Sequence, residues 1–221
     1  MSTHFTQACR KIVAIGRNYA DHAKELGNSI PTQPFFFLKP SSSILIQSQN
    51  KSIEIPKNCD VHHELELGVV IGKTGRDIQP SHADSFISGY CLALDMTARN
   101  LQNQAKKSGL PWSAAKGYDT FTPIGQFIPK NQIPNPNKLQ LSLTIDGKMV
   151  QNGNTSDMIF DIPTLIHHVS QIMTLEEGDV ILTGTPAGVG PVLPNQTLNG
   201  KLVDEHDQLV SEIQFTSQAR S

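Results

Sequence analysis

The run Val61-His-His-Glu-Leu-Glu-Leu-Gly-Val-Val-Ile71 reads as an apolar strand with two carboxylates set into it. Alternate residues of a strand face the same side, so Glu64 and Glu66 project together while Leu65, Leu67 and Val69 project the other way. Two like charges in an apolar element are costly unless something neutralises them. A hard divalent cation meets that need, and carboxylate oxygens without a thiolate partner suit Mg2+, Mn2+ or Ca2+ rather than zinc. A sheet-edge strand with one wet face accounts for the same pattern equally well. Residues downstream decide between the two.

At 221 residues the chain suits one large domain or two small ones. A net charge of -2 gives no electrostatic reason to expect nucleic acid or an anionic membrane as partner, and no apolar run approaches a membrane span. The start carries two cations and no acid but runs at once into the strand-like Ile12-Val-Ala-Ile15, so any targeting signal is weak or missing. Cys9, Cys59 and Cys91 are odd in number and lack metal-site spacing, as expected of an intracellular, reducing compartment, mitochondrial or cytoplasmic.

Short strands dominate the pattern. Strands are expected at residues 12–15, 35–38 (buried), 61–71 and 89–94, and a helix at 19–26. A polar helix spans 97–108, closed by Gly109 with Pro111 beyond. Residues 139–145 alternate, and Asp146-Gly147 is a hairpin signal into 148–150. A helix at 162–173 tolerates Pro163 in its first turn, and strands follow at 180–183, 200–203 and 209–215. No repeat, low-complexity tract or linker interrupts this β-rich mixed pattern.

Asp95 closes an apolar strand ahead of a helix. By position it caps that helix; beside Glu64 and Glu66 it completes an all-oxygen cation site. Arg99 and Gln102 lie three apart on one helical face, placed for an anionic substrate or for solvent. Lys116 sits in an apolar stretch and needs a carboxylate or ligand partner. His22 and Glu25 are also three apart. A glutamate on one imidazole nitrogen leaves the other free as a base, although an exposed helical pair is the default for this spacing. Residues 183–190 offer backbone N–H groups and hydroxyls to a carboxylate, without the lysine of a P-loop or the dinucleotide fingerprint. His167-His168 has no acidic or thiol companion and reads as structural. The Gly-x-Ser-x-Gly elbow of α/β-hydrolases is missing.

In order along the chain stand Gly16-Arg-Asn-Tyr-Ala-Asp-His22-Ala-Lys-Glu25, Phe37-Leu-Lys-Pro40, His62-His-Glu64-Leu-Glu66-Leu-Gly68, Leu94-Asp95-Met-Thr-Ala-Arg99-Asn-Leu-Gln102, Gly109-Leu-Pro-Trp-Ser-Ala-Ala-Lys116 and Leu182-Thr-Gly-Thr-Pro-Ala-Gly-Val-Gly190. This series, covering nearly the whole chain, resembles the fumarylacetoacetate hydrolase superfamily and its acylpyruvase, oxaloacetate decarboxylase and tautomerase branch. The resemblance implies a β-rich α+β fold, a β-roll or β-sandwich-like body with a few peripheral helices. It implies one catalytic domain over residues 1–221 and, as is usual in the family, a homodimer. It also implies Mg2+, with Mn2+ as a substitute, on Glu64, Glu66 and Asp95, and a water-activating His22–Glu25 dyad on a mobile lid at residues 17–34. Lys116 would polarise a substrate oxygen, and Arg99, Gln102 and Thr185 would contact a small anionic 2-oxoacid. Asn100 stands where relatives often carry Asp, outside these roles.

The chemistry so implied runs through a metal-stabilised enolate. Acylpyruvate hydrolysis, oxaloacetate decarboxylation and keto–enol tautomerisation all share it, and the dyad favours the hydrolysis and oxaloacetate turnover, tautomerisation included. Two alternatives stand beside this reading. A dienoate isomerase or decarboxylase of aromatic catabolism would need a roomier pocket. A non-catalytic binding protein that keeps a metal for stability would need neither Lys116 nor the dyad.

Overall fold

The computed structural model describes residues 5–25, 27, 30–49 and 52–220, with backbone alone at Ala23 and Lys24. Its spine is a mixed sheet in the order Phe35–Pro40, Lys11–Gly16, Val180–Leu182, Leu65–Ile71, Ile87–Leu94, Thr122–Ile124 and Ile44–Ile46, with Ile128–Pro129 added beside Ile87–Leu94. Lys11–Gly16 and Val180–Leu182 run parallel, whereas Leu65–Ile71 is antiparallel to both its neighbours. The carboxylate-bearing strand is therefore central, and all seven of its residues are buried. A wet edge strand is excluded.

The expected continuous strand over 61–71 is interrupted at Glu64, where Val61–His63 peels off into a small sheet with Gly190–Pro191 and Thr97–Ala98. The Glu64 carbonyl accepts from the Asp95 N–H at 2.8 Å, so the break ties the two acidic residues together.

A second sheet, in the order Lys148–Asn154, Gln140–Ile145, Thr197–Val203, Leu209–Ala219 and Ile53–Ile55, packs against the first. Its hairpin turns at Asp146 and Gly147, with φ of 51° and 80°, the left-handed pair that a two-residue turn of this kind requires. Leu65, Leu67, Val69 and Ile71 meet Leu141, Leu143, Leu198 and Ile213 in the main core, which also takes Leu165, Ile166 and Val169 from the helix Ile162–Ile172. That helix is capped by Asp161, whose carboxylate accepts from the Thr164 N–H, with Pro163 in the first turn as expected. The opposite sheet face, including Val70, Cys91 and Val180, forms a smaller cluster with Phe5 and Cys9.

Two expectations need correction. The helix at 97–108 begins at Arg99, because Thr97 and Ala98 pair with His62 and Val61 as a short strand. The strand expected to be buried at 35–38 runs over Phe35–Pro40 as an edge strand with one sheet partner; Phe35, Phe36 and Phe37 are half-buried and Leu38 is 43% exposed. The helix expected at 19–26 is present as Ala20–Glu25; position 26, like 28 and 29 of the expected lid, lies outside the described residues.

Candidate active site

Glu64, Glu66 and Asp95 converge where the central strands meet their loops, and one carboxylate oxygen from each lies within 4.8 Å of the others. All three are buried, at 7%, 1% and 1% exposure. Asp95 does not cap the following helix, whose N-terminal residue Ala98 makes no side-chain cap. Its two oxygens go to the ammonium groups of Lys39 and Lys116, the latter at 2.6 Å. Lys116 also donates to Glu64 Oε2 at 2.9 Å, and Arg99 Nη2 donates to Glu64 Oε1 at 2.6 Å. The partner that the sequence demands for Lys116 is thus a pair of carboxylates.

The three acids differ sharply in environment. Burial raises the Glu64 carboxyl, but Lys116 and Arg99 overcome it and hold Glu64 well below the usual carboxylate range. Glu66 Oε2 accepts from the Gly184 N–H at 2.7 Å. Burial, with Asp95 and Glu64 beside it, pushes its carboxyl well above that range. Burial lowers Lys116, yet Asp95 and Glu64 outweigh it and keep the ammonium form; in Lys39 burial and the Lys116 charge prevail, and its affinity for the proton falls.

An all-oxygen donor set with one uncompensated carboxylate is what a hard divalent cation fits, since it would let Glu66 ionise beside its neighbours. Arg99 adds a second sign of a ligand. Its Nη1 donates to Gln102 Oε1 at 2.6 Å, while its buried Nε has no partner among the described residues.

His22 is buried at 5% exposure and faces the same cavity as Glu64, Glu66, Arg99, Gln102, Lys116 and Thr185, so the exposed-pair reading fails for the imidazole. Its Nδ1 lies 3.4 Å from Glu25 Oε2, and Glu25 is held in turn by the Gly188 N–H, 3.1 Å from each oxygen. With the proton on Nδ1, Nε2 carries a free lone pair. Burial holds His22 below its ordinary value of 6.5, partly offset by Glu64 and Glu25.

The 183–190 loop behaves differently from the expectation that it presents open N–H groups. Residues 181–186 are buried, and the N–H groups of Gly184 and Gly188 are taken by the chain's own carboxylates, Glu66 and Glu25. Gly184, at φ 100°, has no room for a side chain: a Cβ would come within 2.8 Å of Asn18 Cβ. Thr185 donates its hydroxyl to the Leu65 carbonyl at 2.8 Å and accepts from Gln151 Nε2 at 2.8 Å. It therefore has no hydroxyl hydrogen left for a carboxylate.

Three buried residues were not singled out in the sequence. Lys39 lies in a strand whose other side chains are half-buried or exposed, and period-2 patterning gives no sign of it. Gln151 bonds His63 Nδ1, Leu65 N–H, Thr185 and Pro186, joining the second sheet to the site. Asn18 bonds Phe160 and Thr183. His167 bonds the Ile78 carbonyl and His168 packs on Phe36, away from the site, and Asn100 staples Asp60 and Asn58.

The strand ends of this mixed, curled sheet thus gather three acids and three cations beside a His–Glu pair. Residues 11–220 match the fumarylacetoacetate (FAA) hydrolase C-terminal family, and the chain belongs to it. It is 60% identical over 195 residues to a mitochondrial oxaloacetate decarboxylase of Dictyostelium discoideum, covering 88% of this chain and 89% of that one. With a mitochondrial oxaloacetate tautomerase of Arabidopsis thaliana it shares 54% over 211 residues, 95% and 92% of the two chains. The crystal structure of a fumarylpyruvate hydrolase from Pseudomonas aeruginosa in complex with Mn2+ and pyruvate superposes with a TM-score of 0.88 at 31% identity, covering 96% of this chain and 91% of that chain.

Proposed function

We propose that this chain is a divalent-cation-dependent enzyme of small 2-oxoacids, with oxaloacetate as substrate and its keto–enol interconversion as reaction. The observation that carries the reading is the buried set Glu64, Glu66 and Asp95, whose two glutamates face one cavity with His22 and Lys116. Those three carboxylates would hold Mg2+, for which Mn2+ substitutes, and the cation would supply positive charge to the keto oxygen and adjacent carboxylate of the acid. The Mn2+ of the Pseudomonas relative and the names of the Dictyostelium and Arabidopsis relatives support this.

Charge balance favours a dianion. Glu64 and Asp95 are paired by Lys39, Lys116 and Arg99, and a divalent cation beside Glu66 would add positive charge that a dicarboxylate offsets further than a monoanion does. His22 Nε2 takes the proton from C3, the C–H electron pair moves into the C2–C3 bond and the C2=O π pair moves onto the keto oxygen. His22 then delivers the proton to that oxygen. Lys116 stabilises negative charge on the keto oxygen, Arg99 and Gln102 hold the acid, and Thr185 offers a lone pair to the enol O–H. Residues 17–34, which carry the dyad, are read as a lid, and residues 1–221 as one catalytic domain. A homodimer belongs to the same proposal; Leu38, Leu110 and Leu193 stand exposed, and sedimentation tests it.

Loss of the oxaloacetate enol absorbance, followed with Mg2+ and after chelation, tests the reading. A rate above buffer that disappears on chelation is expected, and a rate equal to buffer in both sinks it. The buried His22 also suits activation of water, so acylpyruvate hydrolysis is the second reading, scored with acetylpyruvate in the same assay.

A further inference from the structure

Two more cations line the cavity, and neither belongs to the acidic cluster. Lys106 lies four residues beyond Gln102 and seven beyond Arg99, on the same face of the helix Arg99–Ser108. Arg17 follows Gly16 in a turn where its own φ is 56°, the left-handed region that a side chain of this size seldom enters. The guanidinium carbon of Arg17 sits 5.4 Å from the centre of the Phe35 ring, and Lys106 Nζ sits 5.2 Å from that of Trp112. Phe35 and Trp112 meet edge to face, 5.8 Å apart at 87°. The two cations therefore rest on one joined aromatic shelf, which holds them in place without neutralising them.

Both are half-buried, and among the described residues neither pairs with a carboxylate, although Arg99, Lys116 and Lys39 all do. Lys106 feels the burial and then the charges of Arg99 and Arg17, which lower its hold on its proton. Like charges facing one cavity without a counter-ion are a cost to the folded chain, and an anion that enters the cavity relieves it. The acid's reacting end belongs to Glu64, Glu66, Asp95 and Lys116, so the anion that these two cations await is at the other end.

We infer that Arg17 and Lys106 are the binding site for the distal carboxylate of a dicarboxylic 2-oxoacid. The inference rests on the 2-oxoacid reading above and adds the selection of a dicarboxylate over an uncharged acyl chain. It also bears on the outcome with oxaloacetate. Decarboxylation breaks C3–C4, sends that electron pair into C2–C3 and the C2=O π pair onto the keto oxygen, and releases the carboxylate as neutral CO2, so both charge pairs are forfeited. Removal of a C3 proton leaves them intact. Arg17 and Lys106 thus favour proton transfer over loss of CO2.

Binding and turnover test this separately. Malate and lactate both carry a 2-hydroxy acid, and malate adds the distal carboxylate. Calorimetry with Mg2+ present should give malate the lower Kd by about tenfold to a hundredfold in the wild type, the contribution expected of charge-assisted hydrogen bonds. Lys106→Met should erase most of that preference, and Lys106→Arg should restore it. In kinetics, Lys106→Met should lower kcat/KM for oxaloacetate at least about tenfold more than for acetylpyruvate. A wild type that binds lactate as tightly as malate overturns the inference, as do equal losses on the two substrates. A wild type that prefers malate but turns over neither substrate upholds this site and removes the proposed activity.

Discussion

Glu64 and Glu66 are two residues apart and carry opposite electrostatic loads. Glu64 is bound by Lys116 and Arg99, whereas Glu66 faces two other acids with one backbone N–H to help it. In chelator-treated protein, Glu64→Gln should lower stability by about 3–5 kcal/mol, because it leaves buried Arg99 without a carboxylate and Lys116 with Asp95 alone. Glu66→Gln should leave stability unchanged or raise it, since it removes like-charge repulsion. Thermal and urea unfolding of the two variants side by side decides this, and equal losses would remove the asymmetry. Both should lose metal-dependent turnover.

His22 gives a pH signature at the same scale. Its proton affinity is depressed by burial, so the imidazole is neutral at and above pH 6.5 and the acid limb of kcat/KM should fall below that value. The folded state binds this proton less readily than the unfolded chain. Burial of neutral His22 is therefore compatible with full stability above pH 6.5, and stability is lost as pH falls. His22→Ala should remove the acid limb and lower turnover by about 10²–10⁴-fold. An unchanged limb in the variant would place the base elsewhere.

Elements decide how such side chains come to meet. The Asp146-Gly147 hairpin, the central strand Leu65–Ile71 and the helix Ile162–Ile172 were legible because each is specified locally, by turn chemistry, period and capping. The break at Glu64 and the burial of Lys39 were not, since both arise from pairing between distant segments. Lys39 lies in an edge strand, and only the arrival of Asp95 and of the Phe121 carbonyl, which accepts from Nζ at 2.8 Å, turns its ammonium inward. Gln151 escaped notice for the same reason. A glutamine in an alternating hairpin strand is ordinary until four partners from two other segments gather on it. Gln151→Ala should cost about 1–3 kcal/mol through buried groups left unpaired. It should also lower kcat, because the Thr185 hydroxyl loses the donor that orients it. A variant as stable and active as wild type would make Gln151 incidental.

Over the whole molecule, the fold lines one cavity with two acids and four cations and joins Asp95 and Lys39 to that cluster by ion pairs, and neither flanking sheet depends on the cluster for its own apolar core. The core is built from Leu65, Leu67, Val69 and their partners on the opposite face from the acids, so the site's charges can be altered without emptying it. Ligands that complete the charge balance should then appear as added global stability. A cation present at about a hundred times its Kd stabilises the folded state by about 2.7 kcal/mol. For a chain of this length that corresponds to a rise in Tm of roughly 5–10 °C. The expected order follows from where each ligand binds: Mg2+ raises Tm through the three carboxylates, and Mg2+ with malate raises Tm further than Mg2+ with lactate. Glu66→Gln should abolish the Mg2+ shift while keeping a folded transition, and Lys106→Met should keep the Mg2+ shift and lose only the advantage of malate. A Mg2+ shift that survives in Glu66→Gln would move the cation site away from the three carboxylates, whatever the enzyme's activity.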